Sequence, residues 1–214
     1  MNELHPAPVY WIMRQPLALF FTSLLLTAPA GASMLKELNP GDRDKLESGQ
    51  SVLVTIEKPG AIWPEVRIYR KVKATPEGVT DLFLDYENAD SFIHNLDSAV
   101  VEKQPDGNTK DVRYTVRLPV LFTISYLVRN RYEKTPGGYT VHWNLLESFF
   151  AKSAVGNLRV EPHGETAIIC YANHVEPATK LVAGLRGQAL KEASNTVDAI
   201  VKEAERRHAV GAKL

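Results

Sequence analysis

The chain of 214 residues has a single cysteine, Cys170, so no disulfide can form within it and the fold must be held by its core. Basic and acidic side chains balance at 25 each, which gives no electrostatic pull towards nucleic acid or an anionic membrane. The apolar run Leu17–Leu26 falls short of the roughly 20 residues needed to cross a bilayer. There is no G-x-S-x-G elbow, no H-E-x-x-H pair and no glycine-rich phosphate loop. His94, His142, His163, His174 and His208 are scattered without metal-ligand spacing, so no metal and no cofactor is expected. Internal repeats and low-complexity segments are missing too.

What is present begins with the N-terminus. Arg14, the apolar run and the small-residue exits Ala28-Pro29-Ala30 and Ala30-Gly31-Ala32 are the parts of a secretory signal peptide, expected over residues 1–32. Met13 directly precedes Arg14 and could be the true start. A retained anchor is the weaker alternative, and because the only cysteine is the distant Cys170, none directly follows the apolar run and a lipid-modified N-terminal cysteine is not expected. The expectation is a periplasmic or secreted protein. Removing residues 1–32 takes away Glu3 and Arg14 and leaves 24 charges of each sign.

Asn39-Pro40-Gly41-Asp42 predicts a helix start, with Asn39 as N-cap, Pro40 at the first helical position and Gly49 as the stop; residues 33–49 are thus a short helical segment. Strand patterns follow at Ser51–Glu57 and Val66–Val72, with Pro59-Gly60 between them marking a bulge in one strand or a short hairpin. Thr75-Pro76-Glu77 starts a second helix, with Val79, Leu82, Phe83 and Tyr86 at helical spacing, and a further helical turn is expected over Ala89–Ile93. Five more strands are expected around Val100–Gln104, Val112–Leu118, Phe122–Arg129, Tyr139–Leu145 and Val155–Val160, and a last one over Ala167–Val175. Their turn signals recur at a spacing that suits one meandering antiparallel sheet. A helix over Thr179–His208 closes the chain, apolar at Leu181, Leu185, Ala189, Ala193, Val197, Ile200 and Ala204, and slim at Ala183, Gly184 and Gly187. Residues 50–208 form one domain and 209–214 a tail. The fold class is α+β: a curved antiparallel sheet of about seven strands wrapped around a long C-terminal helix.

Alternation sorts the strand residues by face. Tyr114, Val116, Tyr126, Val128, Trp143 and Tyr171 share the apolar parity, together with Asn173, an amide that needs a partner on a dry face. These side chains read equally as core or as the wall of a pocket. Cys170 reads as a buried structural thiol. His142 and His174 share the more polar parity and read as structural or solvent-facing residues, with metal or acid–base use as the alternative. Arg113, Arg117, Arg129 and Arg131 form a basic stripe, read as a solvated outer face or else a contact for acidic headgroups or a partner.

The order of elements resembles the START-like, or SRPBCC, superfamily, in its polyketide cyclase/dehydrase and coenzyme-Q-binding branch. The resemblance rests on Val66–Val72 leading into Ala74-Thr75-Pro76-Glu77-Gly78-Val79, on Leu84-Asp85-Tyr86-Glu87-Asn88-Ala89-Asp90-Ser91-Phe92-Ile93, and on Gly156-Asn157-Leu158-Arg159-Val160 with the closing helix. It spans roughly residues 50 to 205 through loose motifs in a specific order. It implies a helix-grip fold whose cavity holds lipids, sterols, quinones or polyketides, in carriers and enzymes alike. Phe92, Leu181 and Leu185 join the strand residues above as the expected ligand-binding set, with Phe92 near the cavity mouth.

The leading expectation is non-enzymatic binding or carriage of an apolar small molecule in the cell envelope. The alternative is a cyclase, dehydratase or hydrolase acting on a polyketide-like or aromatic substrate, with Tyr114, Tyr126, His174 or Asn173 moving a proton. Transient membrane contact is left open, an envelope interaction module is the third reading, and no nucleic-acid partner is expected.

Overall fold

In a computed structural model, residues 33–117, 123–179, 182 and 184–211 are described; the expected signal peptide, Leu118, Phe122 and Leu181 lie outside them. Helix α1 spans Pro40–Glu47, and its first turn is closed where the Asp42 amide donates to Asn39 Oδ1 at 2.9 Å. Gly49 ends it at φ +85°, the left-handed region that glycine enters without steric cost. Helix α2 spans Pro76–Leu84, capped by Thr75 Oγ1, which accepts from the Gly78 amide at 3.1 Å. A 3-10 turn at Tyr86–Ser91 then replaces the expected turn at Ala89–Ile93.

The strands are β1 Val52–Ile56, β2 Glu65–Val72, β3 Leu96–Asp106, β4 Thr109–Arg117, β5 Thr123–Thr135, β6 Gly138–Glu147, β7 Ala151–His163 and β8 Thr166–Pro177. They form one antiparallel sheet in the order β1-β2-β8-β7-β6-β5-β4-β3. The break at Pro59-Gly60 is a reversal and not a bulge: Val52 lies opposite Tyr69 and Ile56 opposite Glu65, so the sheet has eight strands where about seven were expected. Helix α3 covers Arg186–Gly211, starting later than the expected Thr179 and running about 39 Å at 1.5 Å per residue. Of the helices described, none is long and apolar enough to cross a membrane.

Both faces of β2 and β8 are dry. On the inner face Val66, Ile68 and Val72 meet Ala167, Ile169, Leu158 and Val160, and are roofed by Val79 and Leu82 of α2 and by Val197, Ile200, Val201 and Ala204 of α3. On the outer face Tyr69, Ile168, Cys170 and Ala172 are covered by Met34, Leu38 and Leu46 from the segment before β1. That segment is pinned by Glu37, which accepts two hydrogen bonds from the Arg159 guanidinium at 2.6 and 2.8 Å and one from the Tyr69 hydroxyl at 2.9 Å. The Arg159 contacts hold the Glu37 carboxyl below its ordinary value. Cys170 is fully buried here, a structural thiol whose pKa burial raises.

Candidate ligand-binding face

Moving along the inner face away from that sealed core, aliphatic side chains give way to aromatic rings. Tyr114 on β4 stands directly opposite Tyr126 on β5, and their rings stack with centroids 5.6 Å apart. Tyr86, from the turn after α2, meets Tyr114 edge-on at 6.4 Å. On the next strands Asn130 faces Trp143, Trp143 faces Gly156, and Gly156 faces Asn173. The indole lies over Gly156 because a Cβ there would come within 2.5 Å of the ring and 2.3 Å of the Ala172 carbonyl. Tyr171 packs against Trp143 at 5.0 Å, and Phe83 of α2 caps it at 6.0 Å.

The amide expected to need a partner has one: Trp143 Nε1–H donates to Asn173 Oδ1 at 3.1 Å. Val128 is buried, while Val116, Tyr114, Tyr126, Tyr171 and Asn173 are only half-buried although they belong to the concave side. Burial raises the pKa of all three tyrosines, Tyr126 up to about 12. All three phenols are therefore neutral at ordinary pH and act as hydrogen-bond donors.

The N-terminal half of α3 adds Leu190 and Ala193, partly buried against the same core, while Gly187 is exposed. Glu192 of α3 is half-buried and accepts from Asn95 and Gln188, tying the helix to the loop before β3. Leu185 is exposed in the turn before α3 and does not reach the inner face. Phe92 packs against the main core and the Tyr86 cluster, with the Arg207 guanidinium 5.9 Å from its ring centroid.

Two inner-face residues escaped the sequence reading. Asn130 is buried at 4% exposure and interacts with the Tyr114 hydroxyl. It sits on the apolar parity between Val128 and Tyr132, in a part of β5 beyond the expected strand end. Tyr86 was read for its helical spacing alone. His174 needs the opposite correction: it pairs with Val155 on the outer parity, with Nε2 buried and without a partner among the described residues, so it does not line the inner face.

The outer face is a network of ion pairs. Arg113 meets Glu102 and Glu147, Arg117 meets Asp97, and Arg129 makes paired hydrogen bonds to Asp111 at 2.7 and 2.9 Å. The expected basic stripe is thus largely neutralised, as a solvated face would be. An open groove of about 800 Å³ crosses β5 to β7 there, past Arg131, His142 and Val155, and one of about 470 Å³ lies between α2 and α3 beside Asp81 and Arg207. Among the described residues no three His, Cys, Asp or Glu side chains are grouped to hold a metal ion.

No family model and no curated protein matches the chain. Solved structures do. The STAR-related lipid transfer protein of Xanthomonas axonopodis superposes with a TM-score of 0.65 at 13% identity, over 72% of this chain and 93% of that one. The Zhui aromatase/cyclase of Streptomyces sp. R1128 gives 0.56 at 15%, over 67% and 94%. The human StarD13 (DLC2) lipid transfer and protein localization domain gives 0.57 at 13%, over 78% and 97%. The architecture is therefore the START-like helix-grip fold. Its neighbours include both a lipid transfer protein and an aromatase/cyclase, so the fold by itself names no activity.

Proposed function

We propose that this protein holds an apolar small molecule between the aromatic part of its inner face and the N-terminal half of α3, as a binding or carrier protein of the cell envelope. The observation that carries this reading is the unevenly filled inner face. The rings of Tyr114, Tyr126 and Tyr171 are left half-buried while the neighbouring core is sealed. The envelope location rests on the residue pattern of the first 32 positions. The exposed side chains of Ile62, Leu146, Phe149 and Leu185 would suit brief contact with a lipid surface during loading.

A cyclase, dehydratase or hydrolase is the second reading, favoured by the cyclase among the structural neighbours. It has little to draw on in the described inner face: the phenols are held protonated, Asn173 is committed to Trp143, and His174 lies on the other side. Native mass spectrometry of protein purified without detergent tests the binding reading. A co-purifying apolar molecule, released by organic extraction and lost on changing Tyr126 to Trp, is the expected result. Protein that never carries or takes up an apolar ligand would sink it.

A further inference from the structure

We propose that two copies of this chain join edge to edge through β1, antiparallel about a twofold axis at Val54. The sheet ends in two edge strands, β1 and β3, and they are built differently. Along β3 the register with β4 slips between Leu96 and Ser98, between Val101 and Lys103, and between Lys103 and Asp106. The same strand carries Asp97, Glu102, Lys103 and Pro105. Bulges, charges and proline are the devices that keep a sheet edge from pairing with another chain. Strand β1 has none of them. Val52-Leu53-Val54-Thr55-Ile56 is uncharged and mostly β-branched, and it pairs with β2 residue for residue without a shift.

Alternate residues of an antiparallel edge strand turn their N–H and C=O groups away from the neighbouring strand. Among the described residues no backbone group outside β2 bonds to β1. Val52 and Val54 pack with the segment before β1, whereas Leu53 and Thr55 are exposed on the other side, Leu53 at 47%. The sequence is complementary to itself, which is what favours a second copy. Residues opposite each other in an antiparallel pair point to the same side, and centring the pair on Val54 matches all five positions. Val52 then meets Ile56 of the second copy, and Leu53 meets its Thr55. Just outside, Ser51 faces Glu57 and Gln50 faces Lys58, so no like charges are opposed. The contact is the same patch on both copies, and the blunted β3 edges stop growth at two. Five strand residues a side make a small interface, so the dimer is weak.

Sedimentation velocity of the purified protein from about 5 to about 500 µM tests this, with a shift from monomer to dimer expected across that range. Leu53→Lys combined with Thr55→Lys sets two lysine pairs against each other across the axis and should weaken the dimer at least about tenfold. Leu53→Glu combined with Thr55→Glu should do the same. An equimolar mixture of the two double variants should dimerise again, which a folding defect in either would not allow. Amide exchange of β1 should slow as the parent protein is concentrated. A parent protein that stays monomeric throughout overturns the proposal, even if an unrelated extended peptide binds along β1. A dimer indifferent to both double variants also overturns it, because the contact then lies elsewhere.

Discussion

The same sheet and the same helix are packed in two different ways along their length. Where the C-terminal half of α3 crosses β2 and β8, branched aliphatic side chains interlock: Val197, Ile200 and Val201 against Ile68, Val72 and Ile169, each at 3% exposure or less. Towards its N-terminal end the helix offers Leu190 and Ala193, partly buried against the same core, and the rings of Tyr114, Tyr126 and Tyr171 are only half-buried. One half of the inner face is thus closed by its own side chains, and in the other the rings stay half-buried.

Three substitutions test that division, in falling order of effect. Ile200→Ala removes a fully enclosed side chain and should cost about 3–4 kcal/mol of unfolding free energy, read from urea denaturation. A loss under 1 kcal/mol would mean that the C-terminal half is not sealed. Adding bulk should separate the halves more sharply. Ala204→Leu, at 3% exposure, overpacks the sealed half and should cost about 2 kcal/mol, whereas Ala193→Leu extends into the open half and should cost less than about 1 kcal/mol while abolishing ligand uptake. Equal costs at the two sites would erase the distinction.

A separate effect concerns the outer clasp, which belongs to neither half. Glu37→Gln should cost about 1.5 kcal/mol at neutral pH without altering ligand binding. The sign of its acid dependence follows from a folded-state pKa lying below the ordinary 4.5. The charge-dependent part of the clasp is fully present above that value and fades as pH falls through the lower one. Urea curves of the parent and variant at pH 7, 5 and 3 should therefore converge towards acid. A gap that widens instead would count against the clasp.

Much of this architecture could be read locally. Asn39 and Thr75 announce their helices because a cap is set by three or four consecutive residues. The alternation at Tyr114, Tyr126 and Trp143 marks the inner face for a similar reason. What stayed hidden depends on partners distant in sequence. Ile168, Cys170 and Ala172 are as apolar as Ile169 and Tyr171 beside them, so β8 had to be covered on both sides, yet nothing local says that Met34 and Leu46 supply the second cover. Asn130 was missed because β5 continues six residues past the expected end at Arg129, to Thr135. The late start of α3 leaves Leu185 in a turn, where a helical pattern had placed it on the core side.

Glu37 also fixes which way the molecule can be held. The segment it anchors lies on the back of the sheet, so Met34 and Leu38 sit on the side away from α3. A protein immobilised through a tether on this segment would turn its helix outwards, which makes the back of the sheet the natural side for a sensor surface or an affinity handle.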